Sequence, residues 1–150
     1  MKSIKRKLYE RCQDYVQERI AAAQHAIEAA RQSANSETKS SSGDKYETGR
    51  AMMQLEIEKN TAQLVESMKL KHALDQIRID NTLPSIQAGS LVITDREVFF
   101  IAISLGKVVV EDKTYVVISP ASPLGQKLKG LKTGDQMAFN DRTYMIKEII

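Results

Sequence analysis

The segment from residue 3 to residue 34 contains neither glycine nor proline, and apolar or small residues recur in it mostly every three or four positions. This spacing is typical of one face of an α-helix. At ~1.5 Å per residue the helix would be roughly 45 Å long. Because the row is narrow and the other faces are polar, we expect one main partner, as in a coiled coil. The row consists of Ile4, Leu8, Cys12, Tyr15, Val16, Ile20, Ala23, Ile27, Ala30 and Ala34.

A second helix is predicted from about Asp44 to Ile79. The polar, serine-rich segment Ser33–Gly43 between the two is predicted to end the first helix and to form a mobile loop. Two helices of similar length joined by a short loop favour an antiparallel coiled-coil hairpin over residues 1–80, with its tip at about 35–47. The second helix has an apolar row of Met53, Ile57, Thr61, Leu64 and Met68, which continues in shifted phase with Leu70, Leu74 and Ile77.

After a linker at 81–88 the pattern changes to short runs rich in Val, Ile and Phe, which predict a small β-rich domain over 89–150. Ser122 and Pro123 predict the start of a short helix that ends near Lys129. The fold class is therefore α+β. The predicted strands are Leu91–Thr94, Glu97–Leu105, Lys107–Val110, Lys113–Ile118, Gln136–Phe139 and Arg142–Ile149.

Composition narrows the setting in which we expect this chain. Its net charge of +3 is low for a protein that coats nucleic acid. No apolar run approaches the ~20 residues of a membrane span, and the basic N-terminus does not lead into the apolar core of a signal peptide. The single cysteine, Cys12, fits a reducing compartment. We therefore expect a cytoplasmic protein without a membrane partner.

Few residues are candidates for chemistry. His25, His72 and Cys12 have no further ligands at metal-binding spacing, so solvated or packing roles are expected. Asp44 and Glu47, where the second helix leaves the loop, have the spacing of a capping box. The same two carboxylates, with Glu37 as a third, have the hard oxygen ligands that Mg²⁺ prefers. Both interpretations stay open at this point.

Two motifs in this order of elements are similar to a known family. The tip Gly43-Asp44-Lys45-Tyr46-Glu47 is similar to the pattern Gly-Asp-x-x-Glu, and the stretch from Ser122 to Asp135 is similar to Ser-Pro-[Ile/Leu]-Gly-x-x-Leu-x-Gly-x-x-x-Gly-Asp. Together with the order of hairpin, linker and β domain, they make nearly the whole chain resemble the bacterial Gre-type transcript cleavage and elongation factors.

The resemblance implies that the β-rich domain is FKBP-like and docks at the rim of the RNA polymerase secondary channel, while the hairpin enters the channel. Asp44 and Glu47 would then help the polymerase to hold a second Mg²⁺ and to cut backtracked RNA. The chain would have no catalytic activity alone, no cofactor of its own and no small-molecule substrate. The residues implied in docking are Ser122, Pro123, Leu124, Gly125, Lys127 and Lys129.

Other interpretations remain open. The chain departs from the family pattern at Tyr46, Thr48 and Ala51, which leaves a non-cleaving regulator in the same channel as the alternative. A prolyl isomerase would need an aromatic-lined pocket, and an adaptor would use the acidic pair as a helix cap only. Two basic groups could be solvated or could contact acidic polymerase surface or transcript RNA. They are Lys2, Lys5, Arg6, Lys7 and Arg11 at the start, and Lys127, Lys129 and Lys132 near the short helix.

Overall fold

The protein has an α+β fold with two long helices followed by a six-stranded sheet and one short helix. The computed structural model describes residues 1–37 and 43–150, and the side chains of residues 1–35 and 47–150. The chain divides into two compact units, one formed by Met1–Gln13 with His72–Ile150 and the other by Asp14–Lys71. The predicted domain boundaries at 80 and 88 stay a prediction.

Helix α1 spans Lys2–Glu37. Its predicted apolar row is buried within the unit Asp14–Lys71, at Val16, Ile20, Ala23, Ile27 and Ala30. Of the described elements, only α1 and α2 contribute to this unit. Their antiparallel coiled-coil pairing stays a prediction. The predicted loop begins at Ser33, but residues 33–37 belong to α1. This polar stretch lacks glycine and proline, so it continues the helix. The rest of the predicted loop, residues 38–42, lies outside the described residues.

Helix α2 spans Gly43–Asp75, and most of its predicted row is covered: Leu74 is buried, and Met53, Ile57, Leu64 and Leu70 are half-buried. The prediction is wrong at two positions, where the neighbouring residue is buried instead. Thr61 is exposed and Met68 is 49% exposed, whereas Asn60 and Ser67 are buried. The buried polar groups are satisfied within their own helix. The Asn60 side-chain amide donates to the Glu56 carbonyl at 2.8 Å, and the Ser67 hydroxyl donates to a carbonyl one turn earlier at 2.9 Å. Because these bonds reduce the penalty for burying polar atoms, the polarity of Asn60 and Ser67 did not reveal that these two positions are buried.

The end of α2 also lies earlier than predicted. The helix was expected to reach Ile79, but it ends at Asp75. The next two backbone N–H groups, of Gln76 and Ile77, donate to carbonyls three residues back instead of four. Such bonds tighten the last turn and close a helix.

The unit Met1–Gln13 with His72–Ile150 contains the sheet, whose strand order is β3-β4-β2-β1-β6-β5. Neighbouring strands are antiparallel except β2 and β4, which are parallel. Four predicted strands have the observed bounds, while β2 is shorter than predicted and β3 begins one residue earlier. The elements are β1 Leu91–Thr94, β2 Val98–Ile101, β3 Gly106–Val110, β4 Lys113–Ile118, α3 Pro123–Leu128, β5 Gln136–Phe139 and β6 Arg142–Ile149.

Two-residue turns close the hairpins β3–β4 and β5–β6. Glu111 and Asp112 in the first turn, and Asn140 and Asp141 in the second, all have positive φ between 49° and 65°. Positive φ at both central residues matches the right-handed twist of the flanking strands, and Asn and Asp tolerate it better than most residues. The predicted strand bounds leave these same two residues between the strands of each hairpin, so the positions of both turns are confirmed.

Both faces of the sheet are covered. Phe99 and Phe100 are adjacent on β2, so they point to opposite faces, and both are fully buried. One face packs in a cluster to which α3 contributes Leu128 and the predicted linker contributes Ile86. The β3–β4 hairpin contacts the first turns of α1, in which Ile4 and Leu8 are buried.

Candidate functional site

The two predicted tip carboxylates lie at the start of α2. The helix begins at Gly43, so Asp44 belongs to its first turn and does not precede the helix as the predicted cap would. The side chain of Asp44 lies outside the described residues, as do those of Glu37 and Tyr46. Glu47 is described and exposed, and so are Thr48 and Ala51. Negative charge near a helix N-terminus is favourable, so acidic residues are compatible with this position. The predicted metal-binding role of Asp44 and Glu47 stays a prediction.

The start of α3 explains why the sequence has Ser and Pro in its C-terminal motif. Ser122 has an extended backbone, with φ −65° and ψ 158°, and its hydroxyl oxygen accepts the N–H of Gly125 at 3.0 Å. The same hydroxyl donates to the Ser119 carbonyl at 2.7 Å. Pro123 follows at the first helical position, where no N–H is needed. The predicted N-cap is confirmed.

The glycines of this motif have separate structural reasons. A Cβ on Gly125 would overlap the carbonyl oxygen of Ser119, so no larger residue fits there. Gly130 and Gly134 have φ of 83° and 93°, a conformation that favours glycine. Asp135, which ends the motif, accepts the backbone N–H of Lys132 at 2.8 Å. The motif is therefore one folded unit that positions α3 on the sheet.

The residues implied in docking divide into two kinds. Ser122 and Gly125 are engaged in the packing just described, and Leu124 packs against the core cluster. Pro123, Lys127 and Lys129 are exposed. Lys127 also donates to the Ala138 carbonyl at 2.9 Å. Their docking role stays a prediction, and the exposed members are those that a partner can reach.

The basic residues at the start of α1 are largely engaged inside the protein. Arg6 pairs with Asp80 at 2.9 Å, Lys7 pairs with Glu111, and Arg11 donates to the Val109 carbonyl at 3.3 Å. Lys5 is 2% exposed and donates to the Asn81 carbonyl at 3.3 Å. These contacts fix the start of α1 to the rest of its unit, so the expectation of a solvated surface is wrong for Lys5.

Two residues in these contacts have shifted pKa values. Burial lowers the pKa of Lys5, although the nearby Asp80 carboxylate acts in the opposite direction. The hydrogen bond from Lys7 lowers the pKa of Glu111, and the positive charge of Lys7 adds to the effect. Both shifts come from contacts that hold α1 against the sheet domain.

The cysteine and the histidines have the packing and solvated roles that the sequence predicts. Cys12 is fully buried, and burial raises its pKa to about 12, which leaves no reactive thiolate near neutral pH. His25 and His72 are exposed. Among the described side chains, no three His, Cys, Asp or Glu residues come together as a metal-binding group. None of the described helices has the length and apolar character needed to cross a membrane.

A cleft that no sequence pattern predicts lies where α2 ends, and we call it the Arg78 cleft. It has a volume of about 260 Å³. Its floor is the turn at 87–90, and its residues are close in space only because the chain folds back after α2. No periodicity or motif singles them out. The side chains that line it include Arg78, Leu83 and the amides of Gln76, Asn81 and Gln87.

Comparison with known proteins adds no relative to this picture. No protein-family model matches the chain, and a search of curated proteins finds no match either.

Proposed function

We propose that this protein binds RNA polymerase, inserts the α1–α2 coiled-coil hairpin into the secondary channel and promotes cleavage of backtracked RNA. The sheet domain, which we take to be FKBP-like, would dock at the rim of the channel. The protein would supply two carboxylates for a Mg²⁺ ion held jointly with the polymerase and would not hydrolyse RNA alone.

The observation that carries this proposal is the C-terminal motif of residues 122–135. Several positions of its pattern also have a distinct structural role, which is compatible with the resemblance. Here the serine caps α3, the first glycine avoids a backbone clash, the leucine at 128 enters the core and the final aspartate closes a turn. The tip motif adds support because Glu47 is exposed near the start of α2, where a partner can reach it.

The proposal is tested by a cleavage assay on stalled, backtracked elongation complexes. We expect the wild-type protein to stimulate cleavage, and Asp44→Ala or Glu47→Ala to reduce the rate at least ~10-fold, because each removes an oxygen that holds the metal or its water. Glu58→Ala is the matched control, since it removes an exposed carboxylate from the same helix. Polymerase binding should survive in all three variants.

The second candidate is a regulator that occupies the channel without supporting cleavage. Tyr46, Thr48 and Ala51 favour it, since they depart from the family pattern next to the carboxylates. Wild-type protein that binds polymerase but never stimulates cleavage would support this candidate and reject the first.

The remaining alternatives lie outside transcription. An isomerase would need an aromatic-lined pocket, but Phe99, Phe100, Tyr115 and Tyr144 are buried in the sheet domain, and the half-buried Phe139 packs against its core. A proline-peptide isomerisation assay should therefore be negative. In an adaptor, Asp44→Asn would change only helix stability, by about 1 kcal/mol or less, with no effect on transcription.

A further inference from the structure

We propose that the Arg78 cleft is a binding site for a carboxylate group with an aliphatic neighbour. This site is separate from the tip and from the motif at α3, and it does not depend on the proposed function in transcription.

The cleft contains an unpaired positive charge. Arg78 is the one charged side chain among the described residues that line it. In the described part of the chain its guanidinium has no hydrogen bond and no ion pair. A guanidinium presents parallel N–H groups that match the two oxygens of a carboxylate. The cleft therefore has the principal donor that an acidic ligand needs.

Neutral donors surround this charge. The side-chain amides of Gln76 and Asn81 have no partner among the described residues. The side-chain amide of Gln87 makes only a long contact of 3.5 Å, with the Ser85 carbonyl. Each amide can donate to a lone pair that the guanidinium leaves free. The amide N–H groups would thus supply the remaining hydrogen bonds to a bound carboxylate.

Nearby acidic residues favour a carboxylate over a phosphate. A neighbouring cleft shares Arg78 and is lined by Asp75 and Asp80. Its other arginine, Arg6, is already paired with Asp80 at 2.9 Å. A phosphate dianion at Arg78 would keep one uncompensated charge close to these carboxylates. A single negative charge is balanced by the guanidinium of Arg78.

The floor of the cleft is fixed before any ligand binds. The Ser90 N–H donates to the Gln87 carbonyl, and the Gln87 N–H donates to the Ser90 hydroxyl, both at 3.0 Å. The Gly89 N–H donates to the Ile101 carbonyl at 2.7 Å. A Cβ on Gly89 would lie 2.9 Å from the side chain of Ile77, so the absence of a side chain allows the close approach of the chain before Arg78. Binding therefore costs little entropy in the backbone of this turn, whereas the exposed side chains of Arg78, Gln76 and Asn81 have to be ordered by the ligand.

Leu83 indicates that the ligand has an apolar part next to its carboxylate. This side chain lines the cleft and is 42% exposed, so it offers aliphatic surface beside the charge. The ligand class is therefore an aliphatic carboxylic acid. It could be a free acid, or an acidic residue next to an apolar residue in a peptide.

The test is an NMR titration of the full-length protein with 4-methylpentanoate, its neutral amide, inorganic phosphate and the peptide acetyl-Leu-Asp-amide. We expect the acid or the peptide to shift the backbone amides of Gly89 and Ser90 and the side-chain N–H of Arg78 saturably, with Kd of about 1 mM. Tighter binding of the peptide assigns the site to a protein segment, and tighter binding of the free acid assigns it to a small molecule.

Variants separate the site from general electrostatics. We expect Arg78→Gln to weaken binding at least ~10-fold, whereas Arg78→Lys, which keeps the charge but not the paired N–H groups, should be intermediate. Arg31→Gln, at an exposed arginine on α1, is the matched control and should bind normally. The proposal is overturned if the neutral amide binds as well as the acid, if phosphate binds more tightly, if Arg78→Gln binds normally, or if no carboxylate gives a saturable shift.

Discussion

Single residues in this protein are constrained by backbone neighbours more than by their own chemistry, and Gly125 is the clearest case. Its place next to Ser119 leaves no volume for a side chain, although its own φ is not positive. By contrast, Gly106 has a φ of 86°, but no atom lies within 4 Å of the place that a Cβ would take. Gly125 is therefore required because a side chain would clash with its neighbours, whereas Gly106 is favoured because of its backbone conformation.

This contrast gives the first prediction. Gly125→Ala should lower the free energy of unfolding by more than about 2 kcal/mol, since the backbone must move to relieve the overlap. Gly106→Ala should cost only about 1 kcal/mol, from the positive φ alone. Urea unfolding of both variants measures the difference. An equal cost at the two positions would mean that the turn before α3 is looser than the contacts around Gly125 indicate.

Lys5 is a buried ammonium with one long hydrogen bond. Because burial lowers its pKa, the unfolded chain binds this proton more tightly than the folded protein does. Stability should therefore rise with pH between the folded pKa and the unfolded value of about 10.4.

The second prediction follows from that sign. Lys5→Met keeps the aliphatic volume and removes the buried charge, so it should be as stable as the wild type or more stable at neutral pH. Its advantage should shrink as the pH approaches about 10. Lys147→Met, at an exposed lysine on β6 that does not contribute to the pKa shift of Lys5, is the control and should show no such trend. Unfolding free energies at several pH values check this, and a large loss of stability in Lys5→Met at neutral pH would refute it.

At the scale of elements, the strands were easier to predict than two positions on the buried face of α2, where Asn60 and Ser67 take the places expected for Thr61 and Met68. Short apolar runs bounded by Glu111-Asp112 and Asn140-Asp141 leave one plausible place for each hairpin, because the turn chemistry is local. Which residue of a turn of α2 is buried depends on contacts outside the helix, and these are not local in sequence. Asn60 and Ser67 can be buried since they bond to their own helix. The Arg78 cleft has no sequence signal either, because it depends on the path of the chain after α2.

The third prediction tests which face of α2 is buried. Asn60→Leu should raise the free energy of unfolding by about 1 kcal/mol, because a buried polar residue between helices lowers stability relative to an apolar one. Thr61→Leu, one position along on the exposed side, should have little effect. Thermal and urea unfolding give the comparison. A larger gain from Thr61→Leu would restore the row expected from the sequence.

The fourth prediction concerns the contact between α1 and the β3–β4 turn. The pKa of Glu111 is lowered by Lys7, so this contact contributes to stability above the unfolded value of about 4.3 and is lost as the pH falls through the folded pKa. An NMR titration should place the Glu111 carboxyl below its ordinary range in the wild type. Lys7→Met should move it back, and an unchanged titration in Lys7→Met would contradict the contact.

The whole molecule combines a paired-helix unit ending in two acidic residues with a sheet unit that carries the motif of α3. Arg6, Lys7 and Arg11 contact groups of their own unit but remain exposed, so their contact with a partner stays a prediction. Glu47 near the start of α2 and Lys129 after α3 are exposed as well.

The central claim is that the tip enters the secondary channel, and it is tested most directly by photocrosslinking from position 47 in a backtracked elongation complex. We predict crosslinks to the channel interior near the catalytic Mg²⁺ or to the RNA 3′ end, while the same crosslinker at position 107, on β3, gives neither. This outcome is expected for both the cleaving and the non-cleaving form of the proposal. Absence of crosslinks from position 47, or crosslinks only to the outer surface of the polymerase, would contradict it.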